Sequence, residues 1–545
     1  MKYILTLFIL VIFPLVFLPS STYAANVSFN LDDSHFIPKL VNSFNESWIG
    51  ITPISFSYNK MAFDKTGTNL IRFPGGTVGN FYDWETFAPN WQVAEEILGA
   101  HNKDYQFQKK SFETLVRNLN PIDFINKAHE YGQEVIVQLN LYINTPAQTA
   151  AALRKIKNAG IDIKYFELGN EMYAYMSLNE YLQKAQAAAV KIKEYYPNAQ
   201  IGIVANQRVL WSGGDSRWGN EAPPNADWFD AIIVHPYLNS QPEPNMSTSL
   251  TNPEHQEYIF SSVNEKLARL VDLVKAQYPN KKIWTTEWNT LSGPEQENPF
   301  MTNTYSSSVY TYYFLLNLLK YPQITIANRH FLWGKSESPI NALLQVKNNI
   351  YETYYSQDRN PPDNAFSFEQ FFVKTPPYWP FAWIGEAFSR HSKFAVIDNP
   401  GYAAAYFFKP SQAQTGSIAI INKKPVSQSF YFENIDPNTP YSAIVLAEDW
   451  LAPNSEENQM QPQTRPLENK TLRIGPFAIA YITPTEVAPL LADLNQDNKV
   501  DIYDYNLLVT DFGKAGSPGF IPADIIKDGK VDIFDYNILV GNFGR

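Results

Sequence analysis

Short apolar runs alternate with stretches of helical spacing over the first two thirds of this chain. The runs Asn69–Phe73, Glu134–Leu139, Ile163–Leu168, Gln200–Ala205, Asp230–Val234, Lys282–Glu287 and Thr325–Trp333 predict strands, with a further short strand at Ser47–Thr52. Between them, Ser111–Tyr131 (interrupted at Pro121), Ala147–Asn158, Leu178–Tyr196, Phe260–Ala276 and Tyr305–Leu319 have helical spacing. Pro197 stops the alanine-rich helix that precedes it. Strands apolar on both faces, each followed by a helix, belong to a parallel sheet. About eight such units favour a closed (β/α)8 TIM barrel over an open doubly wound sheet. No glycine-rich phosphate loop opens any helix, which counts against nucleotide binding.

The rhythm changes near Phe381. From there to about Thr483 the pattern predicts strands only: Gly401–Phe408, Ser417–Ile421, Gln428–Phe432, Tyr441–Leu446 and Gly475–Ile482, broken by Pro, Asn and Gly turns. That reads as a β-sandwich packed on the barrel. The C-terminus is an internal repeat, in which Ala492–Lys514 returns as Ala523–Arg545. The expected division is a leader at 1–24, a barrel at 25–380, a sandwich at 381–484, a linker at 485–490 and a paired module at 491–545.

Composition narrows the function. A net charge of −11 over 545 residues disfavours a nucleic-acid partner, which wants a basic face. There is no cysteine, so disulfides, thiolate catalysis and Cys-based zinc sites are excluded. The many aromatics suit stacking on sugar faces, and equally suit a large β-rich core. Lys2, the apolar run Tyr3–Leu18 and the exit Thr22-Tyr23-Ala24 have the form of a secretory signal peptide, cleaved near Ala24 or Ala25. The run is short for a membrane span, and Pro14 and Pro19 weaken a helix there. An uncleaved anchor is the alternative. A secreted or cell-surface protein with no membrane span after cleavage is expected.

Two glutamates carry the candidate chemistry. In KYFELGNE, Gly169 ends a strand and Asn170 and Glu171 follow it; in KIWTTEW, Glu287 ends another strand. Loops at that edge of a parallel barrel converge on one pocket. Glycoside hydrolysis needs one carboxyl to protonate the leaving oxygen and a second to attack or to activate water. Two unrelated strand-end carboxylates are the plain alternative. In the catalytic reading Glu287 stays ionised as nucleophile, and Glu171 needs a raised pKa to hold its proton. Arg72, ending IRFPGG, is placed to keep Glu287 ionised, or else forms a structural ion pair. Asn170 is placed to bond a sugar hydroxyl, and Gly75 and Gly76 fit a tight turn beside the pocket. Glu167, four residues before Glu171 in the same motif, should sit deeper in the barrel and reads as a structural carboxylate, with proton donation as its alternative. His235 and Tyr237 in VHPYL either orient the nucleophile or pack in the core. Trp333 in HFLWG is a candidate stacking floor, and Asn140 ending EVIVQLN a candidate hydroxyl partner.

The repeat spaces oxygen donors as an EF-hand-type loop does. Asp493, Asn495, Asp497, Asp501 and Asp504 fall at its side-chain ligand positions, with the Lys499 carbonyl between them. The second copy offers Asp524, Asp528, Asp532 and Asp535, with the Lys530 carbonyl, but carries Ile526 where a side-chain ligand belongs. Calcium is therefore the expected structural cofactor, bound more weakly in the second loop. An acidic solvated turn is the alternative.

Taken in order, IRFPGGTVGNFYDW, FELGNE, VHPY, WTTEW and HFLWG resemble the clan A retaining glycoside hydrolases, nearest the arabinofuranosidase and heparanase-like glucuronidase branches. The resemblance covers about residues 45 to 484. It implies an α/β (β/α)8 barrel followed by a β-sandwich, Glu171 as acid/base, Glu287 as nucleophile, and a polysaccharide or oligosaccharide substrate. The C-terminal repeat resembles type I dockerin modules, which implies a small α-helical EF-hand-like fold and a cohesin-type partner, although the usual Ser-Thr recognition pair is not evident. A non-catalytic carbohydrate-binding protein, or a scaffold-docked structural component, is the competing reading.

Overall fold

A computed structural model describes residues 24–29, 34–45, 57–99, 106, 109, 121–206, 226–237, 253–289, 305–330, 332–335, 342–357, 359–399, 402–409, 415–433, 435–436, 438–446, 459–485, 492–495, 499–516 and 521–544. Eight parallel strands close into a barrel: β1 (Ser43–Asn45), β2 (Leu70–Phe73), β3 (Glu134–Leu139), β4 (Tyr165–Leu168), β5 (Gln200–Val204), β6 (Ala231–Ile233), β7 (Lys282–Trp288) and β8 (Ile324–His330). Each pairs with its neighbours in sequence, and β8 returns to β1 through Asn328↔Ser43 and His330↔Asn45. The strands are buried on both faces because helices wrap the outside, as their continuous apolar character requires.

The helices follow from their sequences. Pro146–Asn158 starts on a capping box in which Thr145 accepts from the Gln148 amide and Gln148 reaches back to Thr145. Leu178–Tyr195 starts on a Ser177 cap and buries Tyr181, Ala185, Ala188, Ala189 and Ile192 along one face. Tyr305–Leu318 is buried at every position. Two of its tyrosines anchor it: Tyr305 donates to the Leu446 and Phe477 carbonyls and Tyr312 to that of Ala480, tying the barrel to the β-rich region.

The β-rich region expected after the barrel is present as a seven-stranded and a three-stranded sheet, with differences from the expected elements. Tyr378–Arg390 is a helix, where strands only were expected from Phe381. Its buried positions follow helical spacing, but its rings and apolar residues read locally as strand. The sandwich also takes two N-terminal strands. Ala25–Val27 pairs with Gln428–Phe432, and His35–Phe36 with Lys393–Asn399, so the barrel begins only at Ser43 rather than at 25. Such pairings join segments hundreds of residues apart and leave no local trace. The strand expected over Thr325–Trp333 stops at His330. Trp333 instead opens Trp333–Lys335, in a separate sheet with Leu344–Val346 and Phe372–Lys374. The strand expected at Ser47–Thr52 lies outside the described residues.

The chain divides into two compact units, the first holding barrel and sandwich, the second formed by Asn438–Ser442 and Thr483–Arg545. In the second, two helices, Ile502–Asp511 and Ile533–Asn542, pack around Val500, Leu508, Val531 and Leu539. The halves brace each other, since the Gly544 amide bonds the Val500 carbonyl and the Gly513 amide that of Val531. Among the described residues no helix is long and apolar enough to cross a membrane.

Candidate active site

Arg72 is the centre of the cluster. It lies near the C-terminal end of β2, fully buried, with its guanidinium forked between two carboxylates. Nε donates to Glu167 Oε2 at 2.7 Å, and Nη2 closes a second bond to Glu167 Oε1. Nη1 donates to Glu287 Oε1 at 2.7 Å, and Nη2 also reaches Asn170 Oδ1 at 2.8 Å. Burial pulls the guanidinium's pKa down, but the two carboxylates outweigh it and raise it. The pairing expected between Arg72 and Glu287 is present, and Glu167 is the structural carboxylate below it.

Glu287, on β7, is buried with its carboxylate held on both oxygens: Oε1 by Arg72, Oε2 by the Tyr237 hydroxyl at 3.0 Å. Burial pushes its pKa up, but His235, Arg72 and His330 overcome that and lower it to about 2. His330 sits at the end of β8, its Nδ1 accepting from Asn45 Nδ2 at 2.8 Å. A Cβ on Gly76 would lie 3.5 Å from Glu287 Oε1, and Gly76 has φ +61°, so this backbone approaches the carboxylate as the turn reading expected.

Glu171 follows β4 through a strained turn. Gly169 has φ +83°, and a Cβ there would sit 2.4 Å from Met172 Cγ, so only glycine fits. Asn80 then grips the next peptide from both sides: its Nδ2 donates to the Asn170 carbonyl and its Oδ1 accepts from the Asn170 amide. Glu171 itself adopts left-handed backbone, φ 46° and ψ 38°, before the 3-10 turn Met172–Ala174. Its side chain is 38% exposed against 11% for Glu287, so it stands at the solvent side of the pair.

His235 lies between the two. Its Nδ1 is 3.2 Å from Glu171 Oε1 and 3.8 Å from Glu287 Oε2, while Nε2 meets Thr286 Oγ1 at 3.0 Å. The two glutamate oxygens are therefore at most 7.0 Å apart, the sum of those distances. That bound is compatible with the roughly 5–5.5 Å between carboxyl groups in retaining sites and reaches only the short end of the roughly 6.5–9.5 Å of inverting ones.

One expectation reverses. A raised Glu171 pKa was expected, and burial does push it up, as does the charge of Glu287. The hydrogen bond and charge of His235, with the Tyr173 hydroxyl bond, outweigh both and lower it. Conversely, burial lowers His235, but Glu287 and Glu171 raise it. Glu171 and His235 thus compete for one proton.

The remaining expected residues divide. Asn170, His235 and Tyr237 join the cluster. Asn140 does not take the expected hydroxyl-binding place: it is fully buried, donates to the Tyr82 carbonyl and accepts from the Tyr142 and Ile143 amides. Trp333 does not end a barrel strand, as described above. Tyr175 stands close to Glu171, and its ring centroid lies 5.7 Å from that of Tyr142, both half-buried and both set in loops.

In the second unit, Asp504 accepts from the Leu494, Asn495 and Asp501 amides, and Asp535 from the Ile526 and Asp532 amides. Asp524 accepts from the Asp528 and Gly529 amides, and Gly529 has φ +88°. Asp501 and Asp532 cap their helices. Asp497 lies outside the described residues. Among those described, no three acidic or histidine side chains converge as a metal cage. The donor set is nonetheless one of hard oxygens, as calcium requires.

Solved structures share this architecture. The family 51 α-L-arabinofuranosidase AbfB from Bifidobacterium longum matches with a TM-score of 0.59 at 13% identity, covering 85% of this chain and 99% of its own. The α-L-arabinofuranosidase from Thermotoga maritima matches with 0.58 at 15% identity, covering 85% and 99%. A glycoside hydrolase family 44 endoglucanase from Clostridium acetobutylium matches with 0.53 at 13% identity, covering 84% and 98%. At such identities the likeness is one of fold. No family model matches the chain, and no curated protein matches its sequence.

Proposed function

We propose that this protein is a retaining glycoside hydrolase acting on a polysaccharide or oligosaccharide. The observation that carries the reading is that Glu171 and Glu287 meet across His235 at the C-terminal edge of the barrel. The fold's occurrence in arabinofuranosidases and an endoglucanase supports it. Glu287, ionised and braced by Arg72 and Tyr237, attacks the anomeric carbon. The bond to the leaving oxygen breaks as protonated Glu171 passes it a proton from Oε2, the oxygen that His235 does not contact. Water then attacks the covalent sugar, Glu171 takes the water's proton, and the Glu287 carboxylate is released. Asn170, its Oδ1 held by Arg72, keeps its Nδ2 side to donate to the sugar 2-hydroxyl. Tyr175, close to the acid, and Tyr142 beside it provide a stacking wall for the leaving sugar.

The test is a panel of aryl glycosides and oligosaccharides followed by proton NMR. Hydrolysis with the anomeric configuration retained, abolished in Glu287→Gln, supports the reading. Sugar binding without any product, or a product of inverted configuration, refutes it.

We infer for the second unit a calcium-bound docking role in a secreted protein. Calcium would be held by Asp493, Asn495, Asp497, Asp501, Asp504 and the Lys499 carbonyl in the first loop, and by Asp524, Asp528, Asp532, Asp535 and the Lys530 carbonyl in the second; it would cross-link each loop and take no part in catalysis. Ile502, Tyr503 and Phe512, and at the matching places Ile533, Phe534 and Phe543, are exposed apolar residues suited to a protein partner of the cohesin type. Pull-down with a cohesin panel, with and without chelator, tests both: calcium-independent behaviour or no capture counts against the assignment.

A further inference from the structure

Tyr173 has no place in the mechanism above, yet its hydroxyl donates to Glu171 Oε1 at 2.9 Å. The turn delivers it there. Gly169 gives way to Met172, whose buried side chain fills the space a Cβ would take. The left-handed Glu171 then starts a 3-10 turn, closed by the Ala174 amide on the Glu171 carbonyl at 2.9 Å and the Tyr175 amide on Met172 at 3.0 Å. That reversal brings a residue only two positions on back over the carboxyl that precedes it.

The second contact falls on the same atom. His235 Nδ1 also meets Glu171 Oε1, at 3.2 Å. One oxygen of the carboxyl is therefore held from two sides, by its own turn and by the segment after β6. A carboxyl held on one oxygen has its rotation fixed and presents the other. Proton transfer requires the donor atom within about 2.6–3.2 Å of the leaving oxygen, so fixing that rotation has direct catalytic consequence.

We propose that Tyr173 is a positioning residue for the general acid: together with His235 it pins Oε1 of Glu171, so that Oε2 carries the proton to the leaving group. The proposal rests on Glu171 being that acid. The charged and titratable groups facing this carboxyl are His235, Glu287, Tyr173 and Tyr175, with Arg72 behind Asn170.

The sign of the effect is set by the direction of the bond. A hydroxyl donating to a carboxylate favours the ionised form, so its removal raises the proton affinity of Glu171. Tyr173→Phe should move the alkaline limb of the kcat/KM profile upward by roughly 1 pH unit. Loss of the rotational hold should cut kcat/KM by about tenfold for substrates whose leaving group needs protonation. For dinitrophenyl glycosides, which leave without a proton, kcat/KM should stay near the wild-type value and so report an intact fold. Replacing Tyr173 by 3-fluorotyrosine, a stronger donor of nearly the same shape, should move the alkaline limb the other way. Equal losses for both classes of leaving group, or an alkaline limb that moves in neither variant, would overturn the proposal while leaving Glu171 as acid. If Glu171→Gln itself fails to discriminate between the leaving groups, the assignment of the acid falls and Tyr173 with it.

Discussion

Nη1 of Arg72 donates to Oε1 of Glu287 across 2.7 Å, and both groups are buried. The same guanidinium holds Glu167 from its other edge. One cation therefore neutralises two buried carboxylates together. Truncating it in Arg72→Ala leaves two uncompensated buried carboxylates, and should cost about 3–5 kcal/mol of stability. Surviving enzyme should show the acid limb of its rate profile displaced to higher pH, because Glu287 loses a partner that holds its pKa down. Denaturant titration and a pH–rate series measure the two effects.

The depressed Glu287 pKa also makes a stability prediction. Its folded value, about 2, lies below the ordinary glutamate value. The stabilisation is therefore present above that ordinary value and is lost as pH falls toward 2. Between pH 6 and pH 3 the wild type should lose roughly 2 kcal/mol that Glu287→Gln does not lose. Urea midpoints of both proteins at the two pH values decide it; parallel losses would contradict the low pKa.

Tyr237 makes a directed bond to Glu287, 3.0 Å to Oε2. Burial raises the phenol's pKa, and the neighbouring Glu287 charge raises it further, so it remains a donor at any working pH. Tyr237→Phe should lower kcat by about ten- to a hundredfold, the worth of a hydrogen bond to a charged group, with little change in Tm. Steady-state kinetics beside a thermal melt separates this from a packing defect.

Gly169→Ala tests the turn that carries Glu171. The added methyl meets Met172 and the backbone must keep a positive φ. A loss of roughly 2–3 kcal/mol is expected, with kcat falling more than KM rises as Glu171 shifts. Met172→Ala in the same background should recover part of the stability by opening the space, and a thermal-melt series over the single and double variants shows it.

In the second unit Asp535 is fully buried and satisfies the Ile526 and Asp532 amides. Asp535→Ala strands both and should destabilise the module by roughly 2 kcal/mol or more. The module's core is small, so its calorimetric transition should drop or vanish while the barrel's stays in place.

Much of the candidate cluster was legible in the chain because its signals are local. Seven of the eight barrel strands are built on short apolar runs, the exception being Ser43–Asn45, and Arg72, Glu287, His235 and the Gly-Asn-Glu turn sit at or near the ends of such runs, where a parallel barrel gathers side chains. Trp333 was misplaced because HFLW continues the apolar run past His330, and nothing local marks where hydrogen bonding to β1 ends. Asn140 was misread because its partners, the Tyr82 carbonyl and two loop amides, are set by loop conformation.

What the order of residues determined alone is periodicity: strand, helix, repeat, and which carboxylates stand at strand ends. What the tertiary structure decided is which distant groups share a charge environment. His235 is 64 positions from Glu171 and 52 from Glu287, yet meets both, and that meeting turns the direction of the Glu171 pKa. The same holds for Ala25–Val27, drawn into a sheet with Gln428–Phe432. Coulomb interaction and hydrogen bonding depend on distance in space, and only closure of the barrel fixes those distances.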